Sequence, residues 1–184
     1  MLLHLRRSVI ALAVLTLICG ILYPLGETGL AQLLFPAQAN GSLTANGSTL
    51  IGQPWKGAGW FHGRPDPYNP MATGPTNLGP TSRELAAAVR AAVRAETSLG
   101  VRNPPADLVT TSGSGVDPDI SPAAALAQVA AVAGARGLSS QAVRQLVLRQ
   151  VTGPELGFLG EPTVNVLLLN QALASLAARD SRPG

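Results

Sequence analysis

SVIALAVLTLICGILYPLG, from Ser8 to Gly26, holds no charged residue in 19 positions. As a helix rising about 1.5 Å per residue it reaches roughly 28 Å, close to the ~30 Å hydrocarbon thickness of a bilayer. Its 10 Leu, Ile and Val residues favour insertion by on the order of 3–6 kcal/mol, before the small costs of Ser8, Thr16, Gly20 and Pro24. Arg6 and Arg7 precede the run and Glu27 follows it. Basic flanks stay in the cytoplasm, so the N-terminus is expected inside, with Tyr23 at the outer interface and the following chain outside. The division this predicts is a cytoplasmic N-terminus and transmembrane helix over residues 1–30, then a single extracytoplasmic domain over 31–184.

A cleaved signal peptide is the alternative, since Ala37-Gln38-Ala39 offers a small-x-small cleavage pattern. Cleavage follows the apolar core by a few residues, however, and Ala39 lies well beyond Gly26; the core also exceeds an ordinary signal sequence in length. An uncleaved anchor is the expectation. The sole cysteine, Cys19, falls inside the span, so an exported domain here is built without disulfide or thiol chemistry and rests on packing.

Outward from the span, charged residues are 12% and aromatics 4% of the chain, which leaves a core made largely of aliphatic side chains. The sequence pI is near 9.8, yet the 13 basic residues are dispersed, with no basic run beside aromatics. Nucleic-acid binding is not indicated. Asn40-Gly41 and Asn46-Gly47 recur in ANGSLT and ANGSTL and predict hairpin-like turns. Residues 52–80, rich in Gly and Pro and carrying Trp55, Trp60, Phe61 and Tyr68, read as irregular chain packed through its rings, the kind of loop that often carries a binding surface.

Downstream, Thr81-Ser82-Arg83-Glu84 matches a capping box ahead of a helix to Leu99 with Leu85, Val89, Ala92 and Val93 on its apolar stripe. Asp107–Thr111 has strand character, ending at a Ser112–Gly115 turn. Ser121 with Pro122 starts a second helix that Gly137 ends, its face formed by Leu126, Val129, Ala130 and Ala133. Ser139 starts a third, with Val143, Leu146, Val147 and Val151; Val166, Leu169, Leu173 and Leu176 mark a fourth from about Thr163 to Ala178. The expected fold class is α+β: one N-terminal transmembrane helix followed by a helix-rich extracytoplasmic domain with a small sheet.

Catalytic and cofactor motifs are not apparent. The two histidines, His4 and His62, lie far apart in sequence and form no ligand cluster with cysteine. Ser114 lacks the alternate glycines of a nucleophile elbow. Asp117-Pro118-Asp119-Ile120-Ser121 resembles the start of a calcium loop but has Pro122 where Gly is required and Gln128 where Glu is required. Lys56 follows no phosphate-binding loop, and Leu138-Ser139-Ser140-Gln141 departs from the transport-ATPase signature at Ala142. For His62 the ordinary expectation is a partly buried imidazole bonded to backbone.

A series of motifs spans nearly the whole chain: Phe35-Pro36-Ala37-Gln38-Ala39-Asn40-Gly41-Ser42-Leu43, Leu50-Ile51-Gly52-Gln53, Trp60-Phe61-His62-Gly63-Arg64-Pro65, Tyr68-Asn69-Pro70, Asp107-Leu108-Val109-Thr110, Asp117–Pro122, Gly157-Phe158-Leu159-Gly160-Glu161-Pro162 and Val164-Asn165-Val166-Leu167. Together and in this order they resemble the C subunit of the bacterial Kdp potassium-transporting ATPase. The chain departs from that pattern in a short loop between Arg64 and Tyr68, at Thr163, at Leu168 and through Leu146–Glu155.

The resemblance implies a non-catalytic accessory subunit, single-pass in the bacterial inner membrane, within a high-affinity ATP-driven potassium importer. The implied partners are a channel-like potassium-binding subunit, a P-type ATPase subunit and a small single-helix peptide, besides membrane lipid. ATP and potassium act in the complex, with no cofactor held by a recognisable motif of this chain. The family is described as a catalytic chaperone that raises the ATP affinity of the ATPase subunit. Candidate partner-interface residues are Gly20, Trp60, Phe61, His62, Arg64 and Tyr68. A stand-alone membrane-anchored binding protein is the alternative from another class, and an extracytoplasmic hydrolase is disfavoured by the missing triad and ligands. A reporter active only in the cytoplasm, fused after Gly184, should give no signal; activity there would reverse the topology.

Overall fold

The computed structural model describes residues 1–180; the last four positions of the domain expected over 31–184 lie outside the described residues. The chain divides into two units, Met1–Ala45 and the remainder from Asn46.

In the first unit, helix α1 (Leu2–Leu34) takes in the whole Ser8–Gly26 run, and none of its side chains is buried. Among the described residues it is the one helix long and apolar enough to cross a membrane. Its hydrogen bonding widens into a π turn over Ile18–Leu22, where the Tyr23 amide reaches back to the Ile18 carbonyl. The proline at 24 explains the location. It has no N–H to donate, and its ring crowds the carbonyl four residues earlier, so an added residue in the preceding turn relieves the helix without breaking it. Phe35, at φ −138° and ψ 58°, leaves helical geometry, and Pro36 opens a one-turn helix α2 (Pro36–Ala39). Asn40 ties this corner down by exchanging two amide hydrogen bonds with Gln32, at 3.1 and 3.2 Å. The first unit ends after the two-residue strand β1 (Leu43–Thr44), and the second opens with β2 (Gly47–Ser48); turns lie at Asn40–Gly41 and Ala45–Asn46, at or one residue from the expected Asn-Gly positions.

Among its described residues the second unit combines four α-helices and a small sheet with long stretches of irregular chain. Helix α3 (Arg83–Ser98) is capped by Ser82, whose hydroxyl accepts the amides of Glu84 and Leu85. The cap thus sits one residue beyond the Thr81 of the expected capping box, and Glu84 occupies the second helical position, out of register for a reciprocal bond. Helix α4 (Pro122–Arg136) begins and ends as the residues predict, capped by Ser121 and closed by Gly137 at φ 66°. Its inward face is turned from the expected one: Ala130 is exposed, and Ala124, Ala125, Gln128 and Val132 join Val129 and Ala133 inside. Helix α5 (Ser140–Arg149), capped by Ser139, buries Val143, Leu146 and Val147.

Antiparallel strands β3 (Asp119–Ile120), β4 (Val151–Thr152) and β5 (Thr163–Asn165) form the sheet, with β5 central and Val164 paired to both Ile120 and Val151. Thr163–Asn165 is therefore strand rather than the first turn of the fourth helix. Asn165 explains the change: its Nδ2 donates to the Thr49 carbonyl and to Asp119, while its Oδ1 accepts the Leu168 amide and so caps α6 (Val166–Asp180). Asp107–Thr111 is not the expected strand. Ala106–Leu108 make a single 3₁₀ turn, Leu108 and Val109 are both buried in violation of strand alternation, and Asp107 accepts the Ser121 amide at 2.7 Å.

Helix α5 packs against both α4 and α6, and Val129, Val143, Val147, Val164, Leu169 and Leu173 build the aliphatic core together with Phe61. Leu173 has no exposed surface, so Leu173→Ala should cost about 2–5 kcal/mol of unfolding free energy, readable in urea melts.

Candidate interaction site

The segment from Trp55 to Tyr68 has no regular secondary structure, so its backbone must find partners elsewhere. Two buried amide side chains provide them. Asn170 on α6 accepts the Phe61 amide and donates to the Phe61 carbonyl, both at 2.9 Å. Gln128 on α4 does the same for the next residue, accepting the His62 amide at 2.7 Å and donating to the His62 carbonyl at 3.0 Å. Neither amide was found by sequence reasoning. The available signal was one or two polar residues within an otherwise apolar helical run, as in ALAQVAA and LLLNQAL.

Around this pair the candidate residues separate by role. Phe61 is wholly enclosed in the core, so it supports the segment from beneath. Trp60 is half-buried, its ring 4.9 Å from that of Trp55, and the Arg136 guanidinium stacks 3.9 Å above it. Arg136 also donates to the Gly59 carbonyl, and its burial lowers its pKa from the usual value. Arg64 donates to the Thr111 carbonyl at 3.1 Å and lies 4.0 Å from the Asp117 carboxylate. The Tyr68 hydroxyl donates to the Arg64 carbonyl at 2.6 Å; burial, first of all, and the neighbouring carboxylates of Asp66 and Asp117 push its pKa well up. A side chain at Gly63 would collide with this hydroxyl, and one at Gly52 with the Tyr68 ring, which is why both positions are glycine. Asp66, also unforeseen, organises the Ser112–Gly115 turn by accepting the Ser112 amide and hydroxyl and the Asp117 amide. Gly20 belongs to the first unit, exposed within the π turn.

Trp55, His62, Arg64, Asp66, Tyr68 and Glu96 bound a cavity of about 350 Å³. The His62 Nε2 lies 3.0 Å from the Gly57 carbonyl, fulfilling the ordinary expectation for this imidazole. Its other nitrogen is 4.0 Å from Glu96, but the pair is not a strong ion pair. Burial lowers the His62 pKa, against the opposing pull of the Gly57 carbonyl, and raises that of Glu96 to about 7. Both groups therefore move toward their neutral forms, because desolvation outweighs an attraction across that distance. Glu96 is only 7% exposed, and one of its carboxyl oxygens has no hydrogen-bond partner; nor has the buried Nε of Arg64. Among the described residues no group of three or more His, Cys, Asp or Glu side chains could hold a metal ion.

A single exposed apolar helix, long enough to cross a membrane, thus precedes an α+β unit in which Asp66, Gln128 and Asn170 serve the unit's own backbone. Residues 5–175 match the family described as KdpC: K+-transporting ATPase, c chain, and the chain belongs to that family. It is 54% identical over 189 residues to the potassium-transporting ATPase KdpC subunit of Gemmatimonas aurantiaca, covering 95% of this chain and 94% of the relative. The subunits of the same name from Sorangium cellulosum, 52% identical over 94% of this chain and 98% of the relative, and Methylobacterium nodulans, 48% identical over 97% and 100%, are similar along comparable lengths.

Glu96 makes the domain's stability pH-dependent in a definite direction. Its folded pKa is raised, so between about pH 4.5 and 7 the folded state binds the proton more tightly than the unfolded state, and stability falls as pH rises through that window. Glu96→Gln should remove this loss and make the protein more stable at pH 8 by on the order of 2 kcal/mol, measured as urea midpoints at pH 5 and pH 8. The depressed His62 pKa acts oppositely, on the acid side of its ordinary value.

Proposed function

We propose that this chain is a non-catalytic accessory subunit of an ATP-driven potassium importer, assisting assembly and raising the ATP affinity of the P-type ATPase subunit. Its partners on this reading are that subunit, the channel-like potassium-binding subunit and a small single-helix peptide, with ATP and potassium acting in the complex. The observation that supports it best is that the buried polar side chains around the segment are spent on backbone: Asp66, Gln128 and Asn170 are structural, and they hold the half-buried Trp55, Trp60, Arg64 and Tyr68 in place. Aromatic and arginine side chains are favoured at the centres of protein interfaces.

Localisation follows from the span. The chain is single-pass in the bacterial inner membrane, N-terminus in the cytoplasm and domain outside, with the anchor over residues 1–30 and the domain over 31–184. A domain outside cannot touch cytoplasmic ATP, so its effect on ATP affinity is indirect, carried by α1 or by the outer face of the channel-like subunit. Gly20, with Thr16 and Pro24 near the same face, lets another helix approach α1 closely.

Exchanging Ser8–Gly26 for an unrelated apolar helix of equal length should leave the domain folded but raise the ATP concentration for half-maximal hydrolysis roughly 5-fold or more, or deplete the chain from the purified complex. Trp60→Ala with Arg64→Ala should weaken co-purification more than Arg90→Ala with Arg94→Ala, with thermal melts reporting any loss of folding. Unchanged potassium uptake and ATP dependence in the helix exchange would reduce α1 to a tether. The cavity beside Glu96 favours the second reading, a stand-alone anchored binding protein; absence of the wild-type chain from the detergent-purified potassium pump would select it.

A further inference from the structure

Between β4 and β5 the chain makes a tight loop that the proposed role does not use. Glu155 and Leu159 exchange both backbone hydrogen bonds, each 2.9 Å, and Gly157 and Phe158 donate back to Pro154 and Glu155. Leu156 at φ 53° and Gly157 at φ 83° turn the chain over between the paired ends. This closed frame presents apolar side chains outward: Leu156 is 81% exposed, Phe158 73% and Leu159 51%. None belongs to the core. Exposing three large apolar residues within four positions on a hydrogen-bonded scaffold is costly in water unless something covers them.

Charge decides between the available covers. From Gln150 to Ala178 the sequence has no Lys or Arg, and its only charges are Glu155 and Glu161, which flank the tip. Both are exposed, and neither has an ion-pair partner among the described residues. Surfaces that lie on a bilayer carry Lys and Arg toward anionic lipid; an acidic collar is repelled there. A preorganised apolar tip with acidic flanks instead suits a concave apolar pocket with a basic rim, where little ordering entropy is lost on docking.

We infer that the Glu155–Leu159 loop is a docking knob, with Leu156 and Phe158 seated in an apolar, basic-rimmed pocket of another polypeptide of the transport complex and Glu155 and Glu161 paired with its rim. This rests on the accessory-subunit reading. The test replaces Phe158 by photoreactive benzoylphenylalanine in the full-length chain, expressed with the other pump subunits, and irradiates native membranes. A protein adduct, identified by mass spectrometry as a pump subunit, is expected, with little adduct from the same group placed at exposed Leu148. Glu155→Lys with Glu161→Lys should lower its yield about tenfold. Adducts with lipid alone, or none while the wild-type chain still co-purifies with the pump, would overturn the knob and leave the accessory role standing; a yield unmoved by the charge reversals would overturn the basic rim. Failure of the wild-type chain to co-purify would overturn both readings.

Discussion

The domain depends on the pairing of two side-chain amides with the backbone of two consecutive residues. A carboxamide carries a donor and an acceptor side by side, so it can satisfy the N–H and C=O of one residue as a neighbouring strand would. Asn170 does this for Phe61 and Gln128 for His62, from two different helices. The irregular segment is thereby fixed between α4 and α6 without a sheet. Phe61 can enter the aliphatic core only because its backbone is satisfied in the same place; a buried peptide group left without partners costs roughly 1–3 kcal/mol. Trp60, His62 and Arg64 take their positions from this anchoring, so the proposed partner surface is set by residues that need not touch a partner.

This arrangement explains what could and could not be read in the chain. The long apolar run, the caps at Ser121 and Ser139 and the Gly137 stop were legible because each is a local rule, settled by a few adjacent residues. That the domain holds a small sheet was legible, but its strands were not, because they are two or three residues long and exist only through pairing across the fold. Thr163–Asn165 carries too little pattern to oppose the helical periodicity that follows it. Asp107–Thr111 had β propensity, but the buried neighbours Leu108 and Val109 and the bond from Asp107 to the α4 cap won over it. In the site, the aromatic and arginine positions were legible as a cluster. Glu96, Asp66, Gln128 and Asn170 were not, since a polar residue on a helix or loop announces burial only when its partners are known.

The anchor is longer than its task requires. At about 1.5 Å per residue, 33 residues extend on the order of 50 Å, against ~30 Å of hydrocarbon. The uncharged Ser8–Gly26 portion accounts for the crossing, and Glu27 marks where the helix meets a polar environment on the proposed topology. The turn carrying Leu30, Leu33 and Leu34 then continues past that point with its apolar side chains exposed. An apolar helix can accommodate such excess length by tilting or by resting against another membrane protein. The π turn at Ile18–Leu22 falls where Pro24 demands relief, so the middle of the span has both a wider backbone and, at Gly20, no side chain. A small residue such as Gly20 at the contact favours close approach by a second helix.

How such a subunit could bias a pump follows from what it lacks and what it holds rigid. A partner changes an equilibrium only through a difference in its affinity for the two states. Here the aromatic segment is clamped by amides, the Ser112–Gly115 turn by Asp66, and the β4–β5 loop by its own hydrogen bonds, so the domain presents shapes settled before any encounter. Rigid surfaces of this kind discriminate sharply, because a partner conformation that fits gains the full contact, whereas one that does not must pull the surface apart to follow. On the accessory-subunit reading, the energy that raises ATP affinity on one side of the membrane is then the preference of this domain and its helix for one conformation of their partners. By linkage, ATP must tighten the subunit's own attachment by the same factor.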